Sequence, residues 1–260
     1  MGLKEELDRL YLYYNNKKFI HPDPLEFLYK YDSISDREIA GLVASSLAYG
    51  RVAQILKSVS IVLAKMVPGP SIFLKESSSR LIFRTFSRFK HRFTTGAELS
   101  CLLVNIKNSL LKYGSLNECF IDGMKKEDRS VFPAVLNFAK NLNSSQKNRC
   151  NSLMPSPLGD SAFKRLNLYL RWMVRMDNVD PGGWHKVPSS KLIVPLDTHM
   201  QRISLKLGLT RRKQADIKTA LGVTDSFKEF DKNDPVKYDF ALTRLGMSKI
   251  DQIFLKECII

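Results

Sequence analysis

Between residues 36 and 66 apolar side chains recur every three or four positions, and no alternating pattern of comparable length occurs anywhere in the chain. In SDREIAGLVASSLAYG, Ile39, Leu42, Val43, Ser46 and Leu47 share one helical face. Ser35 and Glu38 read as a capping box at its start and Gly50 as its stop. A second helix, RVAQILKSVSIVLAKM, runs to the break at Pro68-Gly69-Pro70. Further helical patterns cover 96–113, 131–141, 160–176, 198–208 and 235–245. The expectation is an all-α fold.

A chain of 260 residues with 44% hydrophobic content can bury a substantial core. Forty-one Lys and Arg against 26 Asp and Glu give a net charge of +15 and a pI near 9.7, which favours a polyanionic partner such as nucleic acid. Cys101, Cys119, Cys150 and Cys258 form no C-x-x-C pair and no zinc-ligand spacing with a His, so reduced thiols are expected. The amphipathic, charged MGLKEELDRLYLYYNNKK is not a signal peptide, and no apolar run is long enough to span a bilayer. The expectation is a cytoplasmic protein without a membrane partner.

Polar, turn-rich stretches at 76–80, 141–152 and 177–191 read as loops, and the last is long enough to suggest function. Just before it lies MPSPLGDSAFKRLNLYLRWMVRM. Pro157 and Gly159 break the chain there, and a helix is expected to open near Asp160 or Ser161. Phe163, Leu166, Leu170, Met173 and Val174 make its apolar stripe, with Lys164, Arg171 and Arg175 on a neighbouring face. A glycine turn opening into a helix directs free N–H groups outward and can hold a phosphate. A capped core helix with a solvated basic flank is the plainer alternative. In VPLDTHMQRISLKLGL, Asp197 or Thr198 caps a helix with Met200, Ile203 and Leu207 on one face and His199, Arg202 and Lys206 on the other. Free N–H groups and the helix dipole would keep Asp197 ionised. On these residues alone it is either a plain cap or a carboxylate aimed at a positive charge formed in a reaction.

Taken together, the two segments resemble the helix-hairpin-helix (HhH-GPD) DNA glycosylases. There a glycine hairpin and lysine-bearing helix precede V-D-T-H-V-x-R-(V/L)-x-x-R-L-G-L, which PLDTHMQRISLKLGL at 195–209 matches closely. PVKYDFALTRLG at 235–246 is similar to a late helix of the endonuclease III branch. REIAGLVASSLAYGRVAQILKSV resembles the superfamily's early helix pair, whose connecting loop reaches into DNA. The match is collinear from about 36 to 246, and a bacterial family sharing this architecture, with no settled substrate, is more similar still. Three departures stand out. The hairpin appears only as M-P-S-P-L-G-D-S-A, so that alignment on Gly159 puts Ser161 at the usual nucleophile position and Lys164 one turn later. The longer lysine-to-aspartate spacing is similar to that of the archaeal oxidised-guanine glycosylases. The cluster-binding cysteines that follow the late helix in the endonuclease III branch are missing, so no iron–sulfur cluster and no other cofactor is expected, although the hairpin could hold a monovalent cation.

The resemblance implies a two-lobed helical unit over 1–260. Its central lobe would be 36–152, its hairpin and helix 153–176, and its second lobe 1–35 with 195–260. It implies a monomeric base-excision enzyme acting on duplex DNA with a damaged base, for example an oxidised purine, or an abasic site. Asp197 would stabilise the positive charge built on the sugar. Lys164, activated by Arg171 and Arg175, would attack C1′ and form a Schiff base that permits strand cleavage. Trp172, Trp184 and His199 are candidates for lining a pocket for the extruded base, with a core position the alternative for Trp172. Tyr49 and Arg51 would fill the gap left in the duplex, or simply end a helix. Leu158, Gly159, Asp160, Ser161, Arg165, Arg171, Arg175 and Arg202 complete the expected DNA surface. Two alternatives remain: a nucleic-acid-binding protein on this scaffold without chemistry, and a basic helical protein meeting RNA or a ribosomal partner.

Overall fold

The computed structural model describes residues 2–143, 152–157 and 159–245. Leu158, Cys150, Cys258 and much of the 141–152 loop lie outside the described residues. The described chain is helical apart from one two-stranded hairpin, and it divides into two compact units. One combines residues 1–20 with 160–260, and the other is 21–159. The N-terminal segment therefore joins the C-terminal part, with the boundaries at 20/21 and 159/160. Residues 21–35 belong with the helices that follow them.

The first helix, α1 (Leu3–Tyr14), belongs to the discontinuous unit. The continuous unit contains α2 (Ile34–Ser46), α3 (Val52–Ala64), α4 (Pro70–Glu76), α5 (Ser79–Phe86), β1 (Lys90–His91), β2 (Thr94–Thr95), α6 (Gly96–Tyr113), α7 (Leu116–Ile121) and α8 (Phe132–Leu142). A 3-10 turn at Pro24–Lys30 packs against α2, whose residues from Glu38 to Ser46 are all buried. The expected capping box does not form on this helix. Its N-cap is Ser33, and Ser35 bonds the Ser33 hydroxyl at 2.7 Å. Glu38 is fully buried and accepts hydrogen bonds from the Leu116 and Asn117 amides at 2.9 and 3.2 Å, so it caps α7, far along the chain. A true capping box sits on α6, where Thr95 and Glu98 exchange hydrogen bonds. Nor does Gly50 end α2, which stops at Ser46. Gly50 (φ +97°) instead turns the chain into α3.

The discontinuous unit adds α9 (Lys164–Val174), α10 (Thr198–Lys206), α11 (Ile217–Phe230) and α12 (Asp239–Leu245). Helix α11 was not foreseen in the sequence. Asp216 caps it through the Thr219 amide, and Ile217, Ala220, Val223, Thr224 and Phe227 form its buried face. Helices α1 and α10 both pack on α12. The packing of α1 is fixed by Asp8, which accepts from Lys237 at 2.9 Å and Tyr238 at 2.8 Å.

Candidate active site

Helix α9 opens at Lys164, three or four residues later than the start near Asp160 or Ser161 that the sequence suggested. Phe163 (φ +50°, ψ +32°) turns the chain into it, and no side chain caps its first turn. Asp160 and Ser161 are not helical. They pair antiparallel with the start of α11: Ser161 bridges Asp216, and the Ile217 amide donates to the Asp160 carbonyl at 3.2 Å. The Ser161 hydroxyl accepts from the Phe163 amide at 3.2 Å. The expected phosphate cradle, a glycine turn leading straight into a helix, is therefore not the arrangement around Gly159, Asp160 and Ser161, although all three are exposed.

The start of α9 brings Lys164 beside α10. Asp197 is the N-cap of α10, and its Oδ1 accepts from the amides of His199 at 2.9 Å and Met200 at 2.8 Å. Its Oδ2 lies 3.8 Å from Lys164 Nζ. The two side chains remain 42% and 30% exposed, so the pair is open to solvent. An exposed ion pair at this separation contributes under about 1 kcal/mol to stability. Arg202 is exposed one turn further along and donates to the Thr198 carbonyl. Arg165 is half-buried on α9.

Arg171 and Arg175 have a different position from the one expected. Both are buried and bound to carboxylates, Arg171 to Asp180 and Asp239, and Arg175 to Asp177, Asp180 and Asp234. They cannot reach phosphate, and their charge is neutralised locally instead of acting on Lys164. Burial opposes the charge on Arg175, but Asp180, Asp234 and Asp177 outweigh it and hold the guanidinium protonated. Four carboxylates share two guanidiniums. Burial pushes the Asp239 carboxyl up to about 6 against the pull of Arg171, and the nearby Asp197 charge adds to the push. These six residues form an ionic cluster along α9, buried except for the half-buried Asp177 and Asp234, and its acidic members Asp177, Asp180, Asp234 and Asp239 were not singled out in the sequence. The acids come from two stretches, 177–180 and 234–239, and the second is far along the chain from both arginines, so no local spacing reveals the whole cluster.

The 177–191 loop supplies Asp177 and Asp180 to this cluster. The Gly182 amide donates to the Trp172 carbonyl at 3.1 Å and the Trp184 amide to the Met173 carbonyl at 2.8 Å, closing the C-terminal end of α9. Gly182 (φ +66°) is needed there, since a Cβ would sit 2.9 Å from the Arg175 carbonyl oxygen. Trp172 and Trp184 are fully buried, and Trp184 meets Tyr169 edge-on at 5.2 Å, so both tryptophans are core residues. His199 is half-buried beside Asp197, with its Nε2 buried and unpartnered among the described residues.

In the other unit, Arg51 is exposed at the N-terminus of α3. Tyr49 is only partly available. Its hydroxyl is 2.6 Å from that of Thr94 and donates to the His91 carbonyl at 3.1 Å, and its ring stacks on Phe93 at 5.0 Å. The tip carrying Phe93 also went unrecognised in the sequence, although FSRFKHRF interleaves basic and aromatic residues.

Among the described residues no group of three or more His, Cys, Asp and Glu side chains is placed to hold a metal ion, and no helix is long and apolar enough to cross a membrane. A family model described as a protein of unknown function, DUF2400, matches residues 23–248. The chain belongs to the DUF2400 family. The DUF2400 match takes in Lys164, Asp197, the ionic cluster and the β1–β2 hairpin, and it leaves out α1. No curated protein and no solved structure matches the chain.

Proposed function

We propose that this protein is a DNA N-glycosylase with an associated abasic-site lyase activity, built on a fold of the helix-hairpin-helix glycosylase kind. The observation that carries the reading is the 3.8 Å approach of Lys164 Nζ to Asp197 Oδ2, half-open to solvent, from two motifs 33 positions apart. The reading makes Asp197 a fixed acceptor. With Oδ1 held by two amides, Oδ2 is free to face, as an anion, the positive charge that builds at the sugar, and the Lys164 ammonium gives its proton to solvent before attack. The freed amine attacks C1′ as the glycosidic bond breaks, and the base leaves with the bonding electron pair and is protonated by solvent. Opening of the sugar ring converts the adduct to an imine, from which loss of a C2′ proton expels the 3′ phosphate. Without the lysine, water would attack and the enzyme would be monofunctional.

The test is covalent trapping. The protein is incubated with duplexes carrying an abasic site or an oxidised guanine, and borohydride is added. A cross-linked band that disappears in Lys164→Gln is the expected result. A band that survives moves the nucleophile to another amine. Neither trapping nor base release on any lesion leaves the second reading, a nucleic-acid-binding protein without chemistry, which the basic surface of the 21–159 unit supports independently.

A further inference from the structure

The net charge of the 21–159 unit is concentrated in one stretch. Residues 51–95 carry nine Lys and Arg and a single acidic residue, Glu76, whereas the rest of the unit holds ten basic and ten acidic residues. All nine basic side chains are exposed. At the end of this stretch the hairpin of β1 and β2 pairs Lys90 with Thr95 and His91 with Thr94, leaving Arg92 and Phe93 as its tip. Phe93 is 64% exposed, unusual for a phenylalanine, with one face against Tyr49. Arg92 holds a left-handed backbone (φ +54°) that a non-glycine residue adopts only where the surroundings impose it. Gly50 provides the room: a Cβ there would lie 2.7 Å from both Cδ and Nη1 of Arg92. The α2–α3 turn and the hairpin tip are thus fitted to each other, and Arg51 and Arg92 form no ion pair among the described residues.

We infer that Phe93, backed by Tyr49, is a stacking platform for an unpaired nucleobase, with Arg51 and Arg92 holding the flanking phosphates. A ring held rigid on one side and open on the other loses little freedom when a base settles on it, and base–aromatic stacking tolerates any base identity. The hydrogen bonds of Tyr49 to Thr94 and of Thr94 to Ser152 (2.6 Å each) brace the platform from below. The inference depends on nucleic acid being the partner and not on the proposed chemistry.

The test uses the full chain and three probes without lesions: a fully paired duplex, the same duplex with one unpaired 2-aminopurine, and vesicles containing an anionic phospholipid. Binding is read by anisotropy and stacking by quenching of 2-aminopurine fluorescence. Phe93→Leu, which keeps an apolar side chain but removes the ring, should weaken binding to the bulged duplex roughly ten-fold or more and abolish the quenching. Phe93→Trp should preserve both, and the fully paired duplex should bind all three proteins alike. Unchanged binding and quenching in Phe93→Leu would overturn the platform. So would Phe93-dependent binding to vesicles with none to the bulged duplex. Failure of both borohydride trapping and base release, with quenching intact, would remove the glycosylase reading and leave the platform standing. Trapping with no Phe93 effect would do the reverse.

Discussion

Asp197 gives its two oxygens different tasks, which separates its structural role from its chemical one. Oδ1 caps α10, and asparagine caps a helix about as well as aspartate. Asp197→Asn should therefore unfold in urea within about 1 kcal/mol of the parent. Borohydride trapping and base release should fall about 100-fold or more, because a neutral amide does not stabilise the sugar cation. Unchanged turnover in a well-folded Asp197→Asn would reduce the residue to a cap. Asp197 was legible in the sequence because a cap is local: the carboxylate and the amides it serves lie within three positions. Arg171 and Arg175 were not. Their spacing from Lys164 suggested a shared basic face, whereas partners as distant as Asp234 and Asp239 draw both guanidiniums into the interior. Only tertiary structure makes a buried arginine tolerable, through carboxylates that a one-dimensional reading cannot assign.

Among the elements, the β1–β2 hairpin is tied to its neighbours through a buried histidine, His91. His91 is buried, and its Nε2 donates to the Tyr49 carbonyl at 3.1 Å, so its Nδ1 accepts from the Ser58 hydroxyl at 2.9 Å. Burial, with Arg92 adding to it, lowers the imidazole below the ordinary histidine value of 6.5 despite the hydrogen bond to Tyr49. The sign follows from linkage. Below 6.5 the unfolded chain takes up a proton that the folded hairpin refuses, so this contribution is complete above that pH and is lost as pH falls toward the folded value. Thermal unfolding at pH 7.5 and pH 5.5, compared between parent and His91→Gln, should show the larger acid-induced drop in the parent. Equal drops would mean that His91 titrates alike in both states. The hairpin escaped the sequence because its strands are two residues long and give alternation no room to appear. The start of α9 was misplaced because Pro157 and Gly159 look like a helix opening, while residues 160–161 are used to pair with the segment leading into α11. Helices such as α6 and α10, with side-chain caps and clear stripes, were legible almost to the residue.

At the scale of the whole molecule, charge is the property that sequence alone quantifies, and its distribution is more informative than its total. A net +15 spread evenly would attract any polyanion weakly, whereas the 51–95 stretch concentrates its cations on α3, α4, α5 and the hairpin. If this surface is where phosphates are neutralised, each neutralised phosphate releases a counterion, and binding falls with salt at a slope set by how many there are. Arg80, Arg84 and Arg88 are exposed at four-residue spacing on α5 and just beyond it. Their combined replacement by alanine should flatten the slope of log K against log salt by up to about three units, roughly one for each arginine that neutralises a phosphate. The matching triple replacement of Lys125, Lys126 and Arg129, equally exposed but within the balanced part of the same unit, should leave the slope unchanged. Titrations of a fluorescent duplex between about 50 and about 200 mM salt cover the range where such slopes are resolved. Equal flattening by both triples would mean that the protein attracts nucleic acid through its overall charge and has no defined phosphate-binding face in this unit. Flattening confined to the α5 triple would locate that face on the helix preceding the Arg92-Phe93 tip.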